Sequence, residues 1–259
     1  MAAADDKVRA IIKQVDRADL ALHNEGYAPD GDLFDHLVAP ERARYLLALG
    51  MLDGLPPGRA VDLGCFFPYM PLLLTALGWQ VTAVDRYSLY GPSLHEALAT
   101  TARVEGFELL DLDMMTELDR VGEADLILLM AVVEHLNGSP LRLMEDIAAR
   151  LRPRNGHLLL EVPNIATLWH RLQFLRGVSP LPEYGSYLQA SYPFAGHNRE
   201  MTAGEIRLLL EQAGYSIDKL SLFDYTPPAP GLKPALLRLV QRALPSCRET
   251  IMAVARPRA

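Results

Sequence analysis

AVDLGCFFPYMPLLLTALGWQVTAVD, running from Ala60 to Asp85, is the stretch that decides the fold. Ala60 to Leu63 are apolar around one carboxylate, Asp62, and predict a buried strand. Gly64 turns the chain, Pro71 to Leu77 carry helix-forming residues, and Gly78 stops that helix. Val81 to Val84 is a short strand-forming run that delivers Asp85. A strand, a tight turn, a helix and a second strand ending in an acid about twenty residues on is how a doubly wound sheet holds a nucleoside. The loop backbone approaches one end of the ligand and the carboxylate takes the ribose hydroxyls. A dinucleotide site would carry G-x-G-x-x-G at this turn, and the chain does not.

The remaining strands follow the same logic. Phe107 to Leu110 lead into Asp111–Leu112–Asp113, and Ala124 to Met130 form an almost continuous apolar run suited to a parallel strand buried on both faces. AVVEHL comes next, then a helix from about Pro140 to Leu151, a turn at RPRNG, and a strand at His157 to Asn164. Strands alternating with helices imply a parallel sheet with right-handed crossovers. Residues 1–55 read as a helical cap: Val8, Ile11, Ile12, Val15 and Leu22 lie at helical spacing within Asp6 to Leu22, and a second helix is expected from Pro40 to Leu52. Tyr27 and Asp30, in the turn-rich piece between them, either cover a site or decorate a surface turn. Pro56 to Gly58 separate this cap from a domain spanning 56–259.

Residues 165 to about 200 form an aromatic-rich insertion with Trp169, Phe174, Tyr184, Tyr187, Tyr192 and Phe194, opened by a helix over Thr167 to Leu175. Thr202 and Glu205 have capping-box spacing for a helix ending near Gly214. Tyr215 to Tyr225 and Glu249 to Pro257 predict two further strands. Between them, Leu232 to Pro245 places Leu232, Leu236, Leu239 and Val240 on one helical face beside Lys233, Arg238 and Arg242. That pattern suits either packing on the sheet or contact with a membrane or lipid-linked substrate.

Composition narrows the partners. Half of the 259 residues are hydrophobic, which supports a sizeable core and excludes intrinsic disorder. A formal net charge of −7 argues against a phosphate-binding surface, so nucleic acid is not the expected partner. Cys65 and Cys247 are far apart, and Cys65 reads as a small turn residue rather than a nucleophile. The start MAAADDKVRA has acids where a secretory signal needs a basic patch, and no apolar run approaches the roughly twenty residues of a membrane helix. A soluble cytoplasmic protein is expected.

With Asp62, Gly64 and Asp85 in place, the order ADLILLMAVVEHL … LRPRNGHLLLEVPN resembles the class I S-adenosylmethionine-dependent methyltransferases, in the branch of ubiquinone-biosynthesis and small-molecule enzymes. Glu134, His135, Leu136, Arg152, Pro153, Gly156, Pro163 and Asn164 stand at the matching places, and the likeness covers roughly residues 42 to 225. The resemblance implies an α/β fold with a Rossmann-like seven-stranded sheet, order 3-2-1-4-5-7-6 with the last strand antiparallel, and helices on both faces. It implies S-adenosylmethionine as cofactor. Asp62, Gly64 and the adjoining Cys65 would surround its methionine moiety, and Asp85, with Arg86 beside it, its ribose. Asp111 and Leu112 would meet the adenine, with Asp113 competing for that role, and the Met130 carbonyl would meet the amino group. The chain departs from the family at Phe66 and Pro68, which replace the second and third glycines of D-x-G-x-G-x-G and reshape the wall beside the amino-acid end.

Methyl transfer needs the nucleophile, methyl and sulfur held in line, and a hydroxyl acceptor must also lose a proton. His135, just past the fourth strand, is the first candidate base, with Glu134 supporting it at the acceptor side; His197, in YPFAGHNREMT, is the second. The alternative is that these side chains only hydrogen-bond their loops. His170 reads as lid packing. Tyr184 and Tyr187 are candidate substrate contacts in a lid over the acceptor pocket, or else part of a loop with its own small core. Nothing groups His, Cys and carboxylates at metal-ligand spacing along the chain, so no metal is expected. The function implied is O-methylation of a small or carrier-linked metabolite, a sugar or natural product. The alternative is a catalytically silent domain of the same fold that binds a partner or metabolite. Oligomeric state has no signal in the sequence.

Overall fold

A computed structural model describes residues 1–16, 19, 33–190, 194, 196–226, 239–241 and 243–258. Tyr27, Asp30, Tyr192 and most of the Leu232 to Pro245 segment lie outside the described residues.

Seven strands form one sheet: β1 Arg59–Leu63, β2 Gln80–Asp85, β3 Glu108–Asp111, β4 Leu126–Met130, β5 His157–Pro163, β6 Tyr215–Phe223 and β7 Thr250–Pro257. Their order is β3-β2-β1-β4-β5-β7-β6. The first five pair in parallel, and β7 runs antiparallel to both β5 and β6. The register aligns Asp85 with Asp111 and Met130 with Glu161, so the side chains that carry chemistry collect at the carboxyl ends of the strands. Ligands bind at this edge of open α/β sheets.

Alternation along the central strand explains its unbroken apolar run. Leu126, Leu128 and Met130 join the core on one face; Ile127 and Leu129 join the core on the other. Helices cover both faces, and among the described residues they are α1 Ala2–Gln14, α2 Leu33–Leu37, α3 Arg42–Met51, α4 Tyr69–Ala76, α5 Pro92–Glu105, α6 Leu141–Leu151, α7 Leu168–Leu175, α8 Tyr184–Gln189 and α9 Ala203–Gln212, of which α7 and α8 bury no residue. On α6, Leu143, Met144, Ile147, Ala148 and Leu151 form the buried stripe. Thr202 and Glu205 close the expected capping box at α9, worth about 1 kcal/mol.

The first helix differs from its expected bounds. It starts at Ala2 and ends at Gln14, four residues earlier at its start than Asp6, because alanines favour helix without leaving an apolar period to read. Pro40 sits in a single 3₁₀ turn, Ala39–Glu41, and the α-helix proper begins at Arg42. Ala4, Val8 and Ile11 of α1 share one core with Ala60 and Val81 of the sheet, so cap and sheet are continuous in packing. Among the described residues no helix is long and apolar enough to cross a membrane.

Candidate functional site

The turn after β1 is fixed by backbone. The Gly64 and Cys65 amides both donate to the Val84 carbonyl, at 2.8 and 3.0 Å, tying the loop to the edge of β2. Gly64 has φ +78°, and a Cβ there would lie 2.4 Å from Val132 Cγ2, so only glycine fits. Phe66 resolves the departure at the second glycine position. It adopts φ +48°, the left-handed conformation that glycine takes freely, at a cost of about 1–2 kcal/mol. Its N–H donates to Asp85 Oδ2 at 2.7 Å, while the Arg86 N–H donates to Oδ1 at 2.8 Å. The Phe66 ring packs against Phe67 and Tyr90, with centroids 4.5 and 5.5 Å away. Pro68 serves as the N-cap of α4, where an N–H is not required.

Ala131, directly after β4, also has positive φ, +53°. Phe66 and Ala131 both line a cavity of about 170 Å³, with Asp62, Gly64, Cys65, Met130, Arg44 and Tyr45 in the same wall. Two strained residues facing one hollow are a mark of a ligand site. Burial pushes the Asp62 carboxyl up to about 7; the Cys65 thiol opposes that shift, Asp85 adds to it, and Arg44 opposes it. Burial also pushes the Cys65 thiol well up, which leaves it unreactive.

Asp62 therefore makes stability depend on pH. Between the ordinary carboxylate range and about pH 7 it is ionised unfolded but protonated folded, so stability falls as pH rises through this window. Asp62→Asn removes that dependence. Between pH 5 and pH 8 the variant should gain roughly 2 kcal/mol on the wild type in urea unfolding, and parallel profiles for the two proteins would refute the shift.

Toward β3, the Asp111 carboxylate accepts from the Ser88 amide and hydroxyl at 3.1 and 3.3 Å. Asp113 accepts from the Met115 amide and pairs with Arg86 at 3.5 Å. Leu112 is buried in the core on the opposite face from Cys65 and Phe67. Of the candidates for the cofactor, Asp62, Gly64, Cys65 and Met130 line the cavity together, whereas Asp85, Arg86, Asp111 and Leu112 do not.

Past Met130 the chain makes a 3₁₀ turn at Val133–His135. Glu134 is fully buried and, among the described residues, neither carboxylate oxygen has a hydrogen-bond partner. Burial pushes its carboxyl up to about 7, with Glu161 adding to the shift and the His197 and Arg44 charges opposing it. The Asn198 and Arg199 amides donate to the Glu134 carbonyl at 2.7 and 3.2 Å, and Asn198 Nδ2 donates to the His135 carbonyl at 2.9 Å. These bonds bring His197 against His135, edge to face, with ring centroids 4.7 Å apart. Glu200 Oε1 meets His197 Nδ1 at 2.7 Å and holds the imidazole pKa up, against the pull of burial. His170 meets the Ile165 carbonyl through Nδ1 at 3.0 Å.

His197 also lines a second, larger hollow of about 870 Å³, walled by Tyr184, Tyr187, Phe194 and Leu181. Tyr187 packs edge-on to Phe194 at 5.3 Å, and both tyrosines are exposed. A further hollow of about 470 Å³ opens beside Arg59, Gln80 and Glu108, at the amino ends of the strands and away from all these groups.

Arg44 belongs to the site although no motif in the sequence marks it. On α3, its Nη1 meets Glu161 Oε2 at 2.9 Å, and its Nε lies 2.7 Å from Glu41 Oε2, off the direction of a hydrogen bond. Burial works against the guanidinium charge, but Glu161, then Tyr45 and Glu41, hold it firmly in place. The available signal was Glu161, a carboxylate inside an apolar strand, which requires a buried partner.

Residues 34–220 match the family model described as a methyltransferase domain. No curated protein matches the chain. Among solved structures, the chain is similar to magnesium protoporphyrin IX methyltransferase (ChlM) of Synechocystis PCC 6803, solved with bound SAH, at 15% identity and TM-score 0.54, covering 93% of this chain and 98% of that one. It is similar to 1,6-didemethyltoxoflavin-N1-methyltransferase of Burkholderia thailandensis at 18% identity and TM-score 0.56, covering 94% and 87%. A likeness to the small RNA methyltransferase HEN1, at 15% identity and TM-score 0.58, covers 84% of this chain but only 26% of HEN1. At these identities the likenesses establish the fold.

Proposed function

The chain belongs to the methyltransferase domain family and is an S-adenosylmethionine-dependent methyltransferase, and on that premise we propose that it methylates an oxygen of a small or carrier-linked metabolite, a sugar or natural product. The observation that carries this reading is the meeting of Glu134, His135 and His197 beside both hollows. His197 lines the aromatic one, and the turn bearing Glu134 follows Ala131, which lines the other.

The smaller cavity suits the cofactor. Gly64, Phe66 and Ala131 bring backbone to its wall, and Asp62 supplies a carboxylate for a cationic ligand. Asp62, Gly64 and Cys65 would hold the amino-acid end, and Asp85 with Arg86 the ribose. Asp111 and Leu112 would hold the adenine, with Asp113 as the competing contact, and the Met130 carbonyl the amino group. Bound there, the cofactor supplies a methyl group open to in-line attack. Tyr184 and Tyr187 would hold the acceptor, and Glu134, His135 and His197 would promote loss of its hydroxyl proton. The net charge of −7 favours such an acceptor over RNA, whose phosphates it would repel.

The test supplies the purified chain with methyl-labelled S-adenosylmethionine and a fractionated cell extract. Base-stable label in the small-metabolite or carrier-bound fraction that refluxing hydriodic acid releases as methyl iodide is the expected result, because methyl ethers survive base but not that acid, whereas N- and C-methyl groups survive both. Label confined to the RNA or protein fraction would overturn the proposal.

A further inference from the structure

Three side chains of metal-ligating type meet from two distant parts of the chain. Glu134 and His135 come from the turn after β4 and His197 from the segment before α9, with ligating atoms all within 4.8 Å of one another. Ligand atoms around one ion at about 2.1 Å stand roughly 3–3.4 Å apart, so small side-chain rotations close the set. Chain spacing hid this group, because His197 is remote from the other two in sequence.

Two independent features point to a cation. Glu134 is 0% exposed and, among the described residues, neither carboxylate oxygen has a hydrogen-bond partner, an arrangement that is costly unless a ligand completes it. His197 Nδ1 is engaged by Glu200 at 2.7 Å, which leaves Nε2 as the ligating atom. A carboxylate on the far nitrogen is how metal-binding histidines are oriented. The backbone bonds from Asn198 and Arg199 to the Glu134 carbonyl hold the two segments together without help from an ion.

We propose that Glu134, His135 and His197 bind one divalent cation of the zinc, manganese, iron or cobalt class, with Glu200 as the positioning residue for His197. Two imidazoles and one carboxylate favour these ions over magnesium or calcium, which prefer oxygen ligands. Three protein ligands leave coordination positions open, as catalytic sites do. Resting on the methyltransferase reading, those positions would take the acceptor oxygen and lower its hydroxyl pKa so that solvent water takes the proton; the oxygen then bonds the methyl as its bond to sulfur breaks and S-adenosylhomocysteine leaves, with the histidines serving as neutral ligands.

The test is calorimetric titration of the EDTA-treated full chain with Mn²⁺ and Zn²⁺, with Co²⁺ followed by its visible absorption. One equivalent should bind, weakened more than about 100-fold by Glu134→Gln and by His197→Ala, and about 10-fold or more by Glu200→Gln. Circular dichroism confirms that each protein is folded; should Glu134→Gln fail to fold, His135→Ala replaces it. No binding to folded wild type up to about 1 mM overturns the proposal, as does binding that survives these substitutions. S-adenosylmethionine titrated into the same samples reports the other site: an ion bound by these residues without any cofactor binding sustains the metal site while the methyltransferase reading falls.

Discussion

Replacing Asp85 by alanine is expected to weaken S-adenosylmethionine binding at least about 100-fold in calorimetric titration, with methyl transfer falling in step. Two effects combine. In the proposed reading the carboxylate receives the ribose hydroxyls, and charge-assisted hydrogen bonds contribute roughly 1.5–3 kcal/mol each. The same carboxylate also accepts the Phe66 and Arg86 amides, so it is the anchor that holds Phe66 at φ +48°. Without that anchor the loop relaxes toward ordinary backbone and the cavity wall moves. Asp85→Asn separates the two effects, since its amide oxygen still accepts one N–H while the negative charge is gone. An intermediate loss is expected for it. If the alanine variant bound the cofactor as the wild type does, the ribose would be held elsewhere and the assignment of this strand end would fail.

Much of this frame was legible because the signals were local. Asp62, Gly64 and Asp85 occupy the strand ends that their spacing implied, and the run at Leu126–Met130 is buried on both faces as its composition required. Thr202 and Glu205 form the capping box that their spacing announced. What escaped the sequence is pairwise and long-range. His135 and His197 each stood out singly, yet nothing along the chain says that their rings touch; the contact depends on Asn198 and Arg199 bonding to the turn after β4. Leu112 has no sequence mark for its burial, and packing places it in the core beside the end of β3. Phe66 was legible as a departure but not as a solution, because φ is set by what its amide reaches. The helix Pro92–Glu105 carries its marks only at its ends, Pro92 in the first turn and Gly106 in the left-handed conformation after the last.

Arg44 was the largest omission, and its replacement by methionine should be the most destabilising change of those considered. The guanidinium sits between Glu41 and Glu161 with its side chain only 12% exposed, and Glu161 is the more deeply buried of the two acids. Thr250 Oγ1 also donates to Glu161, so this carboxylate is held in place and cannot swing out to water. Removing the cation leaves the buried Glu161 carboxylate facing the half-buried Glu41, and breaking a buried pair costs about 3–5 kcal/mol. Glu134 would feel the same change, because Arg44 now offsets part of the shift that burial and Glu161 impose on it. Arg44 also lines the smaller cavity, so cofactor binding should weaken alongside stability. Lysine is a poor substitute, since one ammonium does not reproduce a planar fork set between two acids. The double variant Arg44→Met with Glu161→Met should recover most of the lost stability, because replacing both partners with apolar groups removes the uncompensated charge. Urea unfolding of the wild type, the single variant and the double variant measures this directly. A loss below about 1 kcal/mol for Arg44→Met would place the pair in the range of solvated surface bridges and remove it from the account of what holds α3 to the sheet.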